Sequence, residues 1–185
     1  MKTQLPYVSS EGGPIIIGDY NDLIHWNGSD LTLYNQACKV MEFALMPIEF
    51  SGKRGLIWDF SGPGTAFLVK KGDAELVFIK YWSRPELSDS SLVELADVAT
   101  ESISSNSLAV MSGRVLIIWA AEDASKIVPP KTAFGRPKGL AIDGSGYFIS
   151  LAVGNYKVDT SHYFKNEVEV AALRLRRLDD PMEGA

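Results

Sequence analysis

Residues Val40 to Trp82 read VMEFALMPIEFSGKRGLIWDFSGPGTAFLVKKGDAELVFIKYW, and their period decides the fold class. Met41, Phe43 and Leu45 alternate with Glu42 and Ala44, a repeat of two that sends successive side chains to opposite faces of a strand. Pro47 cannot donate to a ladder and marks an edge or a bend. Ser51-Gly52-Lys53-Arg54-Gly55 turns the chain into Leu56, Trp58 and Phe60, and Gly62-Pro63-Gly64 turns it into Ala66 to Lys70. Lys71-Gly72-Asp73 then leads into Leu76 to Trp82. Four strands joined by glycine-bearing turns predict an antiparallel meander.

Upstream, Pro14 to Ile17 is a short β-branched run between Gly12-Gly13 and Gly18-Asp19, which suits a strand between turns. Asp19 to Gly28 reads as a single helical turn or a loop carrying Leu23 and Trp26 inward at a spacing of three. Asp30 is placed to cap a short helix through Cys38, with Leu31, Tyr34 and Ala37 or Cys38 on one face. Downstream, Ser91 and Glu94 form a capping-box pair. Leu92, Leu95, Ala96, Ala99 and Ile103 follow as an apolar stripe, predicting a helix over 91–103. Strands resume at Leu108–Met111 and Val115–Ala120, and Glu122 to Gly139, with three prolines, reads as a long loop of the kind that carries function or moves. Tyr147 to Val158 returns to strand character, with Gly154-Asn155 as a bulge or turn. Glu167 to Leu178 fits a strand with a bulge near Ala171. It also fits a helix through Val168, Ala171, Ala172 and Leu175; the strand is favoured. Asp179 to Ala185 is a short acidic tail. The expected fold is α+β, mostly antiparallel β as a meander sheet. It has one main helix around 91–103, short N-terminal helical turns, and a single domain over 1–185.

The 185 residues are 46% hydrophobic and include four tryptophans, enough for one buried core without disulfides. Cys38 is the only cysteine, which excludes an internal bridge and any CxxC metal site. The N-terminal MKTQLPYVSS lacks an apolar core of the signal-peptide kind, and no run reaches the ~18 apolar residues of a membrane span, so a cytoplasmic address is expected. Lys and Arg number 18 against 23 Asp and Glu, a formal charge of −5. That balance disfavours nucleic acid as a partner, since phosphates demand a basic face.

Catalytic patterns are sparse. Ser51-Gly52-Lys53-Arg54 fails the phosphate-loop pattern, with Pro47 and Arg54 where Gly and Ser or Thr belong. Gly62-Pro63-Gly64 and Gly144-Ser145-Gly146 fail the dinucleotide fingerprint, because Phe67 and Ile149 stand at the third-glycine positions. His25 and His162 are too few for a histidine metal site; His162 falls in what reads as a polar loop without a G-x-S-x-G elbow, and Cys38 is expected to be packed. Arg174, Arg176 and Arg177, interleaved with Leu173 and Leu175, suit snorkelling at an edge. Trp58 and Trp119 lie in apolar strands and are expected in the core. Trp26 and Trp82 stand at element ends, where an aromatic is a core plug or an interface anchor. No cofactor and no metal is expected, and the chain reads as a non-enzyme.

The order Gly12-Gly13-Pro14, Ile15-Ile16-Ile17, Trp26-Asn27-Gly28, Tyr34-Asn35-Gln36-Ala37-Cys38 and the strands to Lys80-Tyr81-Trp82 resembles the bacterial polymorphic-toxin immunity proteins grouped as immunity protein family twenty-one. Gly154-Asn155-Tyr156-Lys157-Val158 and the closing Leu-rich strand are similar more loosely. Tyr7 departs from the pattern, which would carry a tryptophan there. The resemblance implies function by occlusion: binding a cognate toxin domain and blocking its active site, with no chemistry of its own. A basic nuclease is the toxin class that the acidic surface would suit. The acids and aromatics near the first turns and the strand-to-helix junction would then carry the contact: Asp19, Asp22, Trp26, Asp30, Trp82, Glu86 and Asp89. Two rivals stand beside this reading. A β-rich small-ligand carrier would show a closed apolar cavity, and a hydrolase using Cys38 or His162 would bring those two together in a cleft.

Overall fold

The computed structural model describes residues 5–72, 75–83, 86–98 and 100–178. The acidic tail from Asp179, Asp73 of the third turn and Ala99 of the helix stripe lie outside those residues. The fold is β-dominated, with two six-stranded antiparallel sheets and three short helices. One sheet is ordered β1 (Tyr7–Ser10), β5 (Gly64–Lys71), β6 (Glu75–Trp82), β12 (Val168–Arg177), β11 (Gly154–Lys165), β7 (Ser104–Val110). We call it sheet A. Sheet B is ordered β3 (Leu45–Phe50), β4 (Lys53–Trp58), β2 (Ile15–Asp19), β8 (Arg114–Trp119), β10 (Gly146–Ser150), β9 (Phe134–Gly135).

The side-chain period of two sorts residues into layers. Ile15, Ile17, Leu56, Trp58, Val115 and Ile117 of sheet B meet Leu76, Phe78, Val158, Ala171, Leu173 and Leu175 of sheet A in the central core. Their neighbours point outward yet are also buried. Ile16, Ile57, Leu116 and Ile118 are covered by α1 (Tyr20–Leu23) and α2 (Leu31–Ala37). Val69, Val77, Ile79, Val170 and Ala172 are covered by α3 (Asp89–Ala96). Burial on both faces gives β2 and β8 continuous apolar runs in place of strict alternation.

Several expectations need correction. The four strands after Val40 do not form one meander: β3 and β4 pair in sheet B, while β5 and β6 pair in sheet A. Between them the chain crosses layers at Ser61, Gly62 and Gly64, all at positive φ, where the sequence had suggested another hairpin turn. The first of these strands begins at Leu45, because Phe43 sits at φ +59 and breaks the extended run. Pro47 does lie on the sheet edge, where its missing donor costs no ladder bond. The main helix is shorter than 91–103: Ser88, not Ser91, caps it by accepting from Ser91 N, and Asp97 closes it. Ile103 is outside the helix, 48% exposed, and its N–H bonds Thr160 O on the way into β7.

The 167–178 element is a strand over Val168–Arg177, and it needs no bulge: the register runs unbroken on both sides, because both faces have an apolar layer to meet. β12 is an interior strand, so its arginines do not snorkel at an edge; Arg174 pairs with Glu75 and Arg176 with Asp159. Gly154 and Asn155 open β11 rather than interrupting a strand. His162 lies within β11, not in a loop. Cys38 is exposed at the end of α2, and Trp119 is only half-buried, its Nε1 donating to Gly12 O. The 122–139 stretch is tied down rather than loose. Buried Glu122 accepts from Ala141 N, Ile142 N and Ser145 Oγ, and Val128 bridges to Lys138.

Candidate functional site

Strand length creates the site. β11 has 12 residues and β12 has 10, about 33–40 Å of extended chain, while β2 and β4 opposite have 5 and 6, about 17–20 Å. The inner face of sheet A therefore runs on past the end of sheet B. Residues in phase with the core continue along it: buried Lys80 and half-buried Trp82 from β6, half-buried His162 and exposed Phe164 from β11, and half-buried Glu169 from β12.

The turn before β3 folds over this ledge. Phe43 stacks flat on the His162 imidazole, with centroids 3.9 Å apart and 4° between planes, and meets Trp82 edge-on at 5.9 Å. Phe164 approaches His162 edge-on at 5.6 Å, and His162 Nε2 lies 2.8 Å from Glu169 Oε1. Phe43 holds this position at a φ that costs a bulky L-residue about 1–2 kcal/mol. Phe164 is 69% exposed and Met41, in the same turn as Phe43, 76%.

Lys80 forms the floor. Its ammonium donates to the carbonyls of Phe60, Ser61, Gly62 and Pro63, at 2.5–3.1 Å, and sits 4.5 Å from both the Phe60 and Trp82 ring centres. Four carbonyls on one cation explain how the strained crossover between sheets is held. Burial pushes the Lys80 pKa down to about 8, with Asp59 pulling the other way. Burial likewise holds the Asp59 carboxyl above its usual range, and nearby Glu42 adds to the rise. Ser61 Oγ donates to Glu42 Oε1 at 2.6 Å, so the rim of the ledge carries acid.

The seven residues singled out from sequence do not converge. Asp19 is 4% exposed and occupied inside the fold: Oδ2 accepts from Met111 N, Ser112 N and Ser112 Oγ, and Oδ1 from Asn21 N. Trp26 is fully buried, its Nε1 donating to Ala120 O. Asp22 pairs with Lys53 at 3.1 Å, and Asp30 caps α2 through Thr32 N. These four belong to the sheet B side. Trp82 joins the ledge, Glu86 is exposed just before α3, and Asp89 is half-buried in its first turn, all on the sheet A side. Sequence reasoning missed Phe43, Lys80, His162, Phe164 and Glu169. The available signal was length: the two closing strands are too long for the partners they face.

In chemical terms the ledge offers flat aromatic surface, one imidazole–carboxylate pair and an acidic rim. Cys38 and His162 are not brought together, since α2 lies on the outer face of sheet B and His162 on the inner face of sheet A. Among the described residues no group of three or more His, Cys, Asp or Glu is arranged to hold a metal ion. Compared with known protein families, curated proteins and solved structures, the chain matches none.

Proposed function

We propose that this chain is a non-catalytic binding protein that neutralises a cognate toxin domain by covering its active site, and that the aromatic ledge is its contact surface. The observation that carries the reading is the ledge itself. Phe164 stands exposed beside half-buried Trp82 and Phe43, the last held at an unfavourable φ, and aromatics of this kind are the anchors that dominate interface energetics. The acidic rim and net charge of −5 would speed encounter with a basic toxin. The resemblance of the N-terminal half to toxin-immunity proteins supports the same class. Of the earlier contact candidates, Trp82 belongs to the ledge; Asp22, Asp30, Glu86 and Asp89 would form separate patches.

The test is co-expression with any toxin-like protein that the same genome encodes beside this chain, scored by growth rescue and by isolation of a one-to-one complex. Phe164→Ala is expected to weaken that complex at least ~10-fold, about 1.4 kcal/mol, without lowering the melting temperature. Rescue that survives Phe164→Ala and Met41→Ser together, but fails on neutralising Asp22, Asp30 and Glu86, would move the contact off the ledge. No rescue and no complex would remove the toxin-neutralising reading.

A further inference from the structure

Sheets A and B approach each other along one side at β7 and β3, and there both are edge strands. Side chains pin the two edges together at one end: Ser104 Oγ accepts from Leu45 N, and Asn106 Nδ2 donates to Leu45 O. Asp19 clamps the other end by taking Met111 N and Ser112 N. Between the pins lies a cleft of about 570 Å³, walled by Asn106–Ala109 of β7 and by the β3–β4 hairpin.

The backbone of both walls points into that cleft. In an antiparallel strand each residue turns its N–H and C=O to one side, alternating along the chain. Leu178 N bonds Asn155 O, so Asn155 and Lys157 face β12, and Tyr156 and Val158 face β7. Their partners Leu108 and Asn106 are thereby used, which turns Ser105, Ser107 and Ala109 outward. On β3, both backbone groups of Leu45 reach β7 side chains, so Pro47 and Glu49 share its outward direction. Among the described residues nothing bonds the outward backbone of Ser107, Ala109 or Glu49, or the outward carbonyl of Pro47, which has no N–H to offer, so the β3 wall supplies one donor and β7 the larger share of the ladder. Other edges are protected: β9 has two residues, and Ser9 N of β1 already bonds Gly144 O. β7, by contrast, reads SSNSLAV, with no charge and no proline to discourage pairing.

The geometry points to a slot for one extended segment of a partner polypeptide, hydrogen-bonded to β7 on one side and β3 on the other. Four residues of β7 run along the cleft for about 13 Å, the length of four residues of an added strand. A second copy of this chain fits less well, because a sheet edge has only one free side and could bond only one wall. A loop or tail has two. The side chains facing inward would meet Leu56 and Leu108 of the central core. Those facing out would emerge where Lys53 pairs with Asp22 and Arg54 with Glu49. The occupant is thus a segment of alternating apolar and polar residues without strong net charge. This site is separate from the ledge and does not depend on the toxin-neutralising reading.

The probe is a phage-displayed library of random eight-residue peptides, panned on the folded full chain. Enriched peptides are then synthesised and followed by amide hydrogen exchange. Enrichment of apolar–polar alternation is expected, with the Ser107, Ala109 and Glu49 amides slowed at least ~10-fold on saturation. Ser107→Pro removes an outward donor without touching the β11 ladder and is expected to weaken binding ~10-fold or more, while Ser107→Ala stays within about threefold. If Ser107→Pro fails to fold, the amide protection in the unaltered chain decides. No enrichment, protection confined to the β11–β12 tip, or a folded Ser107→Pro with unchanged affinity would each overturn the slot.

Discussion

Gly12, Trp26, Gly28 and Tyr34 stand in the N-terminal run before β3, and each has a packing task. Gly12 O accepts from Trp119 Nε1 and Tyr34 Oη, and Trp26 Nε1 reaches Ala120 O. Gly28 lies against residues 120–122 and donates to Glu122 O, so closely that a Cβ there would fall 2.5 Å from Ala121 C. Gly28→Ala is expected to cost about 2–3 kcal/mol in denaturant unfolding, as overpacking against backbone does; a change under about 0.5 kcal/mol would show that the loop yields. Lys80 gives a pH signature. Its folded pKa of about 8 lies below the ordinary 10.5, so between those values the unfolded chain holds the proton and the folded chain does not. The penalty for burying the charge is fully present below pH 8 and is relieved as pH rises. From about pH 7.5 to about 9.5, before unfolded tyrosines titrate near 10, the native chain should gain stability relative to Lys80→Met. Parallel pH curves for the two would place the titration elsewhere.

At the level of elements, the β11–β12 hairpin closes on Asn166 and Glu167, both at positive φ. A two-residue turn of this hand suits Asn at the first position and Gly at the second, so Glu167 is the strained member. Glu167→Gly is expected to raise unfolding stability by about 0.5–1 kcal/mol, and a loss instead would mean that the Glu side chain stabilises the hairpin tip. The elements read correctly from sequence are those fixed locally. Asp30 with its cap on Thr32 N, Leu23 and Trp26 facing inward, and β8 between its turns all depend on neighbours within a few residues. The errors fall where distant partners decide. The main helix ends at Ala96 because Asp97 caps it and the chain must then reach Thr160, and Phe43 leaves the extended run to stack on His162. Neither partner is near in sequence.

Across the whole molecule, the central strands β2, β8, β6 and β12 are buried on both faces, while β3, β7 and β9 are edges. Native-state hydrogen exchange is therefore expected to be slowest in β8 and β12 and fastest at the outward amides of β7 and β3. Equal protection of β7 would mean that its edge is already covered in solution. The sequence by itself determined that this chain is β-dominated and where its strongest strands lie, because a period of two acts over a few residues. It also determined the Asp30 cap of the second short helix. Only the tertiary structure decided which hairpin entered which sheet, since β3–β4 and β5–β6 share the same local pattern and differ only in what packs against them. The ledge and the slot come from the same source. Each exists because a strand edge or a strand end finds no counterpart in the opposite sheet, and that mismatch is a property of the two layers together.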